Sequence, residues 1–318
     1  MIRITSHLLR FDNIPLLTII TICLNVLSQA VIAAEPVPVK NIQHLFTIKG
    51  DKTGPLSLPS DVAVDHDGNI YIVDSGNHRI AVFDDNGTHV SYISGKGHKK
   101  TETTNPVGID VSDNRVYLAD KDNHRLQIFD KQGTYIKSIS LSQGNIAIRP
   151  VDVAVNKNKN LIYISGNNNH KVMVYDYSGK LHHQWGGEGT NRGELRYPAT
   201  ISLYQNNAYV VDVLNSRVQI FNGKGELQAI AGEWGVLPGQ LFRPKGVAHD
   251  KEGNIFVSDS YLGVIQVFSN DTRFQYALGK NGKPYKFTTP SGISIDKKNR
   301  LYVCEMLDNK VSVFSLEQ

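Results

Sequence analysis

The chain has 318 residues, with 34 Lys and Arg against 30 Asp and Glu, and 40% of its residues are apolar. This composition is typical of a folded protein and excludes a disordered, collagen-like or disulfide-stapled chain. The net charge of +4 is small for this length, so it gives no sign of strong nucleic-acid binding.

Residues 1–34 have the pattern of a secretory signal peptide. Arg3 and Arg10 give a positive start, residues 14–26 form an apolar stretch, and small alanines near position 34 offer a cleavage site. We therefore expect a periplasmic or secreted protein with no integral membrane span after signal cleavage. A retained N-terminal membrane anchor is the alternative, although the apolar stretch is short for one.

The rest of the chain, residues 35–318, repeats one unit six times at intervals of about 46 residues. Each unit contains three short runs rich in β-branched and aromatic residues, and five units add a fourth, weaker run; such runs indicate strands. Asp-Gly or Gly-Asn turns between the first two runs are hairpin signals. Each unit opens with a proline, and these prolines are Pro59, Pro106, Pro150, Pro198, Pro244 and Pro290.

Four strands in each unit predict an all-β fold, a six-bladed β-propeller of four-stranded blades that begin near the repeated prolines. The sixth unit ends soon after Phe314 and lacks its fourth strand, whereas residues 41–50 have the pattern of a fourth strand. We therefore expect the strand at 41–50 to complete blade six. This pairing would close the ring and cover an open sheet edge.

The repeat resembles the NHL family of propellers. In that pattern the second strand ends in Asp, an Asn-x-Arg sequence follows, and an apolar strand ends in Phe. Blade one carries it as Asp74, Asn77 and Arg79, and blades two and four repeat it. Blade three departs with Gly166 and Lys171. Blade five keeps only the Asp, and blade six has Glu in its place. The resemblance implies the fold and leaves the function open, because one fold hosts many functions.

Polar residues of the repeats are expected to collect on one face near the mouth of the central channel. The loop that leads into strand one and the loop between strands two and three lie on the same face of a blade. The candidate ligand- or partner-binding residues there are Asp61, Asp74, Asn77, His78, Arg79, Asp120, Asn123, His124, Arg125, Asp152, His170, Lys171, Asp212, Arg217, Asp259 and Glu305. Two interpretations compete. Either these residues cap loops and bridge blades, or a subset of them is free to hold a ligand, a cation or a partner.

Neither a metal site nor a catalytic residue is predicted. His78, His124 and His170 occupy the same position in blades one to three, but one histidine per blade would place them too far apart for zinc bonds of about 2.0–2.1 Å. The chain has no Gly-x-Ser-x-Gly elbow, no His-Glu-x-x-His and no phosphate-binding glycine loop. We therefore expect no cofactor.

These observations favour an exported binding or scaffold propeller that recognises a protein, a peptide or a small ligand on the channel-mouth face. The alternative is an enzyme, a metal-dependent lyase or lactone hydrolase with its site at the central channel. The first strands carry mostly apolar residues, Gly or Ser where metal ligands would be needed, which argues against the enzyme. RNA binding, known for some NHL proteins, conflicts with the export signal and the balanced charge.

Overall fold

The structure is a computed structural model that describes residues 37–94 and 101–316. The predicted signal peptide at 1–34 lies outside these ranges. No helix within the described ranges has the length and hydropathy that a membrane span requires.

Six sheets of antiparallel strands form the blades, and every blade holds its first three strands in chain order. The strands of blades one to three are Pro59–Val64, Ile70–Asp74, Arg79–Phe83 and His89–Ile93; Pro106–Ser112, Arg115–Asp120, Arg125–Asp130 and Tyr135–Ser140; and Pro150–Asn156, Leu161–Gly166, Lys171–Asp176 and Leu181–Gly186. Those of blades four to six are Pro198–Tyr204, Asn207–Asp212, Arg217–Asn222 and Leu227–Ala231; Pro244–His249, Ile255–Asp259, Val264–Phe268 and Phe274–Lys280; and Pro290–Ile295, Arg300–Glu305, Lys310–Ser315 and Gln43–Ile48.

Short elements connect these strands. The two-residue pairs are Gly50–Asp51 with Gly54–Pro55, Ser142–Gln143 with Ile146–Ala147, and Lys283–Pro284 with the last strand of blade five. The 3-10 turns are Ser75–Asn77, Lys121–Asn123, Lys157–Lys159, Val213–Asn215 and Met306–Asp308. All but the one at Lys157–Lys159 lie between strands two and three of their blades, where the polar repeat residues stand.

The first strands surround a central channel. Each contacts the first strand of the next blade, and the first strand of blade six contacts that of blade one. Each first strand begins at a repeated proline, a position that needs no backbone donor. The pairing of strands one and two is irregular in every blade, for example between Pro59 and Val62. Such bulges re-aim side chains, and here they lie beside Asp61 and Asp152.

The hydrophobic core lies between neighbouring blades. One buried cluster joins Val62 and Ile72 of blade one to Tyr302, Cys304 and Val313 of blade six. Equivalent clusters join the other neighbours. The free thiol of Cys304 is fully buried and fills space in this core. Apolar packing between the blades therefore sets their orientation. The polar residues of the repeats stand in the channel and in the loops.

The N-terminal segment closes the ring, as the sequence predicted, but with different bounds. The strand that completes blade six is Gln43–Ile48, antiparallel to Lys310–Ser315, with Ile48 opposite Val311. The expected single strand at 41–50 is therefore too long. The preceding residues, Val39–Asn41, pair in parallel with the last strand of blade five instead. The segment thus joins two blades, and buried Ile42 lies at the crossing.

Candidate functional site

The acidic residues that end the second strands are buried inside the blades. Asp74, Asp120, Asp212 and Asp259 are 0% exposed, and Glu305 is 2% exposed. Each accepts a backbone N–H from the loop that leads into strand one of its own blade. The donors are Ser57 for Asp74 (2.6 Å), Thr104 for Asp120 (2.8 Å), Arg196 for Asp212 (2.7 Å), Phe242 for Asp259 (2.6 Å) and Thr288 for Glu305 (2.8 Å). These carboxylates therefore anchor the loops of the channel-mouth face.

The Asn-x-Arg residues complete this anchor in blades one, two and four. In all three blades the arginine Nε donates to the second carboxylate oxygen over 2.8 Å; these residues are Arg79, Arg125 and Arg217. The asparagine Nδ2 donates to the same oxygen over 2.8–2.9 Å; these residues are Asn77, Asn123 and Asn215. The polar atoms of the repeat motif are thus largely satisfied within each blade.

Blades three and six substitute other groups for the motif. In blade three the acid is absent at Gly166, and Asn168 Oδ1 accepts the N–H of Arg149 over 2.8 Å in its place. Lys171 pairs with Gly166 across the strands. In blade six, Ser312 donates to Glu305 over 2.6 Å, and Lys310 lies 3.4 Å from the same carboxylate. Loop anchoring is thus kept where the sequence pattern is lost.

The three equivalent histidines connect successive blades. His78, His124 and His170 follow or lie near the turns between strands two and three, in left-handed backbone conformation. Nδ1 of His78 accepts the N–H of Asn105 over 3.0 Å, and Nδ1 of His170 accepts that of Tyr197 over 3.1 Å. Each donor belongs to the loop that leads into the next blade. Among residues 37–94 and 101–316, no group of three His, Cys, Asp or Glu side chains could hold a metal ion.

Asp61 and Asp152, also predicted from the sequence, lie in the central channel. A cavity of about 710 Å3 follows the first strands and is lined by both residues together with Asp110. Burial raises the pKa of Asp61 to about 7 and that of Asp110 to about 6. Burial, and then the charge of Asp61, raises the pKa of Asp152 well above its usual value. The structure thus brings these three carboxylates into one cavity, which Asp65 and Asp113 also line, and it separates them from the acids inside the blades.

An exposed aromatic cluster lies on blade five, where the repeat motif is lost. The rings of Phe242 and Tyr261 stack with centroids 4.3 Å apart, and Trp234 lies 6.3 Å from Phe242. Trp234 and Tyr261 are 70% and 66% exposed. Asp259 orders this cluster, because its carboxylate accepts the N–H of Phe242 over 2.6 Å and that of Tyr261 over 3.1 Å. Sequence reasoning missed this cluster, although it flagged the departure of blade five from the pattern.

Apolar side chains and two cations stand close to Trp234 and Phe242 in the chain. Val236 and Leu237 are 64% and 63% exposed in the loop before blade five, beside a groove of about 370 Å3. The side chains of Arg243 and Lys245 make no hydrogen bond or ion pair with any residue that the structure describes. Burial, and then the charges of Arg243 and Lys121, lowers the pKa of Lys245. This part of blade five therefore combines exposed apolar side chains with two cations.

Comparison with known proteins identifies the repeat and the fold. A family model described as 6-bladed beta-propeller matches residues 98–184 and 241–318, and a model described as NHL repeat matches residues 56–83. The protein brain tumor of Drosophila melanogaster is 40% identical over 52 residues, which are 16% of this chain and 5% of that protein. The chain thus corresponds to a small part of this curated relative.

Solved structures with the same fold differ widely from this chain in sequence. A streptogramin B lyase is 14% identical, with a TM-score of 0.63 over 86% of this chain and 98% of that one. A protein of unknown function from Bacteroides thetaiotaomicron is 15% identical, with a TM-score of 0.66 over 87% of this chain and 74% of that one. A catalytically inactive virginiamycin B lyase from Staphylococcus aureus with quinupristin is 15% identical, with a TM-score of 0.60 over 84% of each chain. At these identities the likeness shows the fold alone.

Proposed function

Because the chain belongs to the 6-bladed beta-propeller family, we propose that it is an exported binding or scaffold module. Its partner is a protein or peptide that docks on the face formed by the loops into strand one and the loops between strands two and three. The observation that carries this proposal is the exposed aromatic cluster of Trp234, Phe242 and Tyr261.

Aromatic residues grouped on an exposed surface are typical of binding hot spots. Trp, Tyr and Arg dominate the energy of protein interfaces because they bury large areas with little loss of side-chain entropy. Here the aromatic rings are held by backbone contacts to Asp259, so binding would not require their loops to be ordered first. Contiguous apolar surface that is exposed on a folded protein commonly marks an interaction site. We therefore interpret this cluster as a docking surface.

The charge beside the aromatic cluster indicates the chemistry of the partner. Arg243 and Lys245 are cations without a counter-charge among the described residues, and the lowered pKa of Lys245 reflects burial near other cations. A partner with acidic side chains would neutralise them. We therefore infer a partner segment with aromatic or aliphatic anchors next to Asp or Glu residues.

The acids predicted from the sequence support this function indirectly. Asp74, Asp120, Asp212 and Glu305 hold the loops of the docking face in place. That these four residues also contact a ligand directly is a separate proposal. Within the described ranges, no cluster of side chains favours the alternative of a metal-dependent lyase or lactone hydrolase. The two lyase structures share the fold at 14–15% identity.

The docking proposal is tested with the double variant Trp234→Ser and Tyr261→Ser. The matched control is Val90→Ser, which changes a 58% exposed apolar residue in the last strand of blade one. Partners crosslinked to the wild type in the exported fraction are identified, purified and titrated against all three proteins. We expect the double variant to bind at least about tenfold more weakly while the control binds as the wild type does. Equal affinity of the three proteins would refute the proposal.

Export is tested separately, by fractionating cells and sequencing the N-terminus of the mature protein. Cleavage near residue 34 supports an exported module. An uncleaved chain in the membrane fraction would instead support the retained anchor, and an uncleaved chain in the cytoplasm would refute export.

A further inference from the structure

The central cavity is a second feature, separate from the aromatic surface. It extends from Asp61 and Asp152, two residues after the repeated prolines, to the turns that follow the first strands. There it is lined by exposed residues such as Asp113 and Lys157. Its volume of about 710 Å3 is in the range of small-molecule sites, which are about 300–1,000 Å3.

The wall of this cavity is acidic on one side and neutral on the other. Blades one to three contribute Asp61, Asp110 and Asp152. Blades four to six line the cavity with side chains that carry no carboxylate. The small ones are Thr200, Ser202, Ala248 and Ser294, and the larger ones are Ile201, Leu203, Tyr204, Val247, His249, Ile293 and Ile295. The neutral side leaves space beside the three carboxylates.

Asp61 and Asp152 are hydrogen-bonded to each other through their side chains, and the other hydrogen bonds that the three carboxylates accept come from backbone groups of the described residues. Asp61 accepts the N–H of Ile109 over 3.0 Å, and Asp152 accepts the N–H of Ile201 over 2.8 Å. Asp110 accepts backbone N–H groups from its own strand and from blade three. Lys131, which lines the same cavity, is bound to Asp65 over 2.9 Å and to Asp67 over 3.2 Å. The acidic wall therefore has no side-chain counter-charge within the described ranges.

Asp152 carries the observation that points to a ligand. It is 4% exposed, it lines the cavity, and its Oδ1 has no hydrogen-bond partner within the described ranges. Gly108 leaves the space for this oxygen, since a Cβ there would lie 2.3 Å from it. His249, at the other end of the cavity, also carries a buried Nε2 without a partner. Buried polar atoms are nearly always satisfied, so an unpaired carboxylate oxygen indicates a missing donor.

We propose that the central channel binds a small organic cation through an alkylammonium group that donates to Asp61 and Asp152. An ammonium group has three donors and no acceptor, which suits carboxylate oxygens that lack donors. The aliphatic part of the ligand lies along the small side chains of blades four to six. This site is distinct from the proposed docking surface.

Binding at this site is coupled to proton release. Burial raises the pKa of Asp61 to about 7, so a proton competes with the ligand below that pH. The charged or titratable groups that line the cavity around the pair are Asp110, His249 and the Asp65–Lys131 pair, with His66, Asp113 and Lys157 at its end, and the thiol of Cys304 is buried nearby. Burial keeps the pKa of His249 near 4 and that of the thiol well above its usual value. Both groups therefore stay neutral from pH 6 to pH 8, and the carboxylates govern the change. Affinity for the cation should rise across this range.

Calorimetric titration of the folded protein with putrescine and with n-butylamine tests the proposal. We expect one binding site at pH 8, weaker binding at pH 6, and no binding of the neutral analogue 1,4-butanediol. Asp152→Asn should weaken binding at least about tenfold, because it removes a charge-assisted hydrogen bond. Asp271→Asn, a change in an exposed turn, is the matched control and should bind as the wild type does.

Several results would overturn the proposal. These are an absence of amine binding at millimolar concentration, equal affinity in Asp152→Asn, and equal binding of the neutral analogue. A circular-dichroism melt checks that each variant is folded, and Asp61→Asn replaces Asp152→Asn if the latter is not. The pH dependence and the selectivity for charge are measured on the wild type. The proposal can therefore be refuted even if both variants are misfolded. The docking surface is unaffected by any of these outcomes.

Discussion

Replacing Asp120 by alanine should destabilise the protein by about 3–5 kcal/mol, the usual cost of breaking a buried ion pair from one side. The carboxylate is 0% exposed. It accepts bonds from Thr104 N (2.8 Å), Asn123 Nδ2 (2.9 Å), Arg125 Nε (2.8 Å) and Gln127 Nε2 (2.8 Å). Alanine removes the acceptor that these four donors share and the carboxylate charge with which Arg125 pairs. For a domain of this size such a loss lowers Tm by roughly 5 to 9 °C.

Urea and thermal unfolding followed by circular dichroism measure this loss. Asp271→Ala is the control, since that carboxylate lies in an exposed turn and its partners among the described residues are nearby Ser269 and Arg273. Its unfolding midpoint should match the wild type. A destabilisation of Asp120→Ala below about 1 kcal/mol, the net value of one ordinary hydrogen bond, would refute the argument. The second-strand acids would then be free to act on a ligand.

Three further perturbations test the ring and the channel. Deleting residues 43–48 exposes an edge of blade six and should give aggregation or unfolding; an unchanged Tm with a monomeric elution volume would contradict closure by this strand. Burial raises the pKa of Asp61 to about 7, so its ionisation costs the folded state stability as pH rises from about 4 through 7. The free energy of unfolding of Asp61→Asn minus that of the wild type, measured in urea, should therefore be larger at pH 8 than at pH 5. The same difference at both pH values would contradict this. Gly108→Ala should cost about 1–3 kcal/mol, since its Cβ would lie 2.5 Å from Val151 O. Gly223→Ala, whose nearest atom is 3.4 Å away, should be tolerated, and equal Tm values for the two variants would be evidence against tight packing at Gly108.

The fold could be predicted because its determinants are local and repeated. A proline, a polar turn and three β-branched runs recur at regular spacing, and each sets strand position without knowledge of distant residues. The bounds of the closing strand could not be read in this way. Val39–Asn41 joins blade five through backbone hydrogen bonds. A strand of three residues is too short to show the alternation of apolar and polar side chains by which strands are recognised in a sequence.

The candidate site was harder to predict because burial decides what a polar residue does. In the sequence Asp74 and Asp61 are both acids of a repeat, yet the first is enclosed within its blade and the second lines the channel. Asp110 was missed because the same position in other blades holds Ala or Ser. An acid within four residues of the repeat proline in three consecutive blades was the signal that could have found it. Trp234 and Tyr261 flank the break of the pattern in blade five, and only their ring contacts show that they form one cluster.

The pairing of Gln43–Ile48 with Lys310–Ser315 has a consequence for biogenesis. The ribosome makes Gln43–Ile48 before the strands of blades one to five, so its pairing with Lys310–Ser315 cannot form until the third strand of blade six has been made. Contacts between such distant residues are slow to form because a long loop must close first. A product that terminates before Lys310 would leave Gln43–Ile48 unpaired. Such a product would be a target for proteolysis. The same feature delays closure of the ring until the third strand of blade six has emerged from the ribosome.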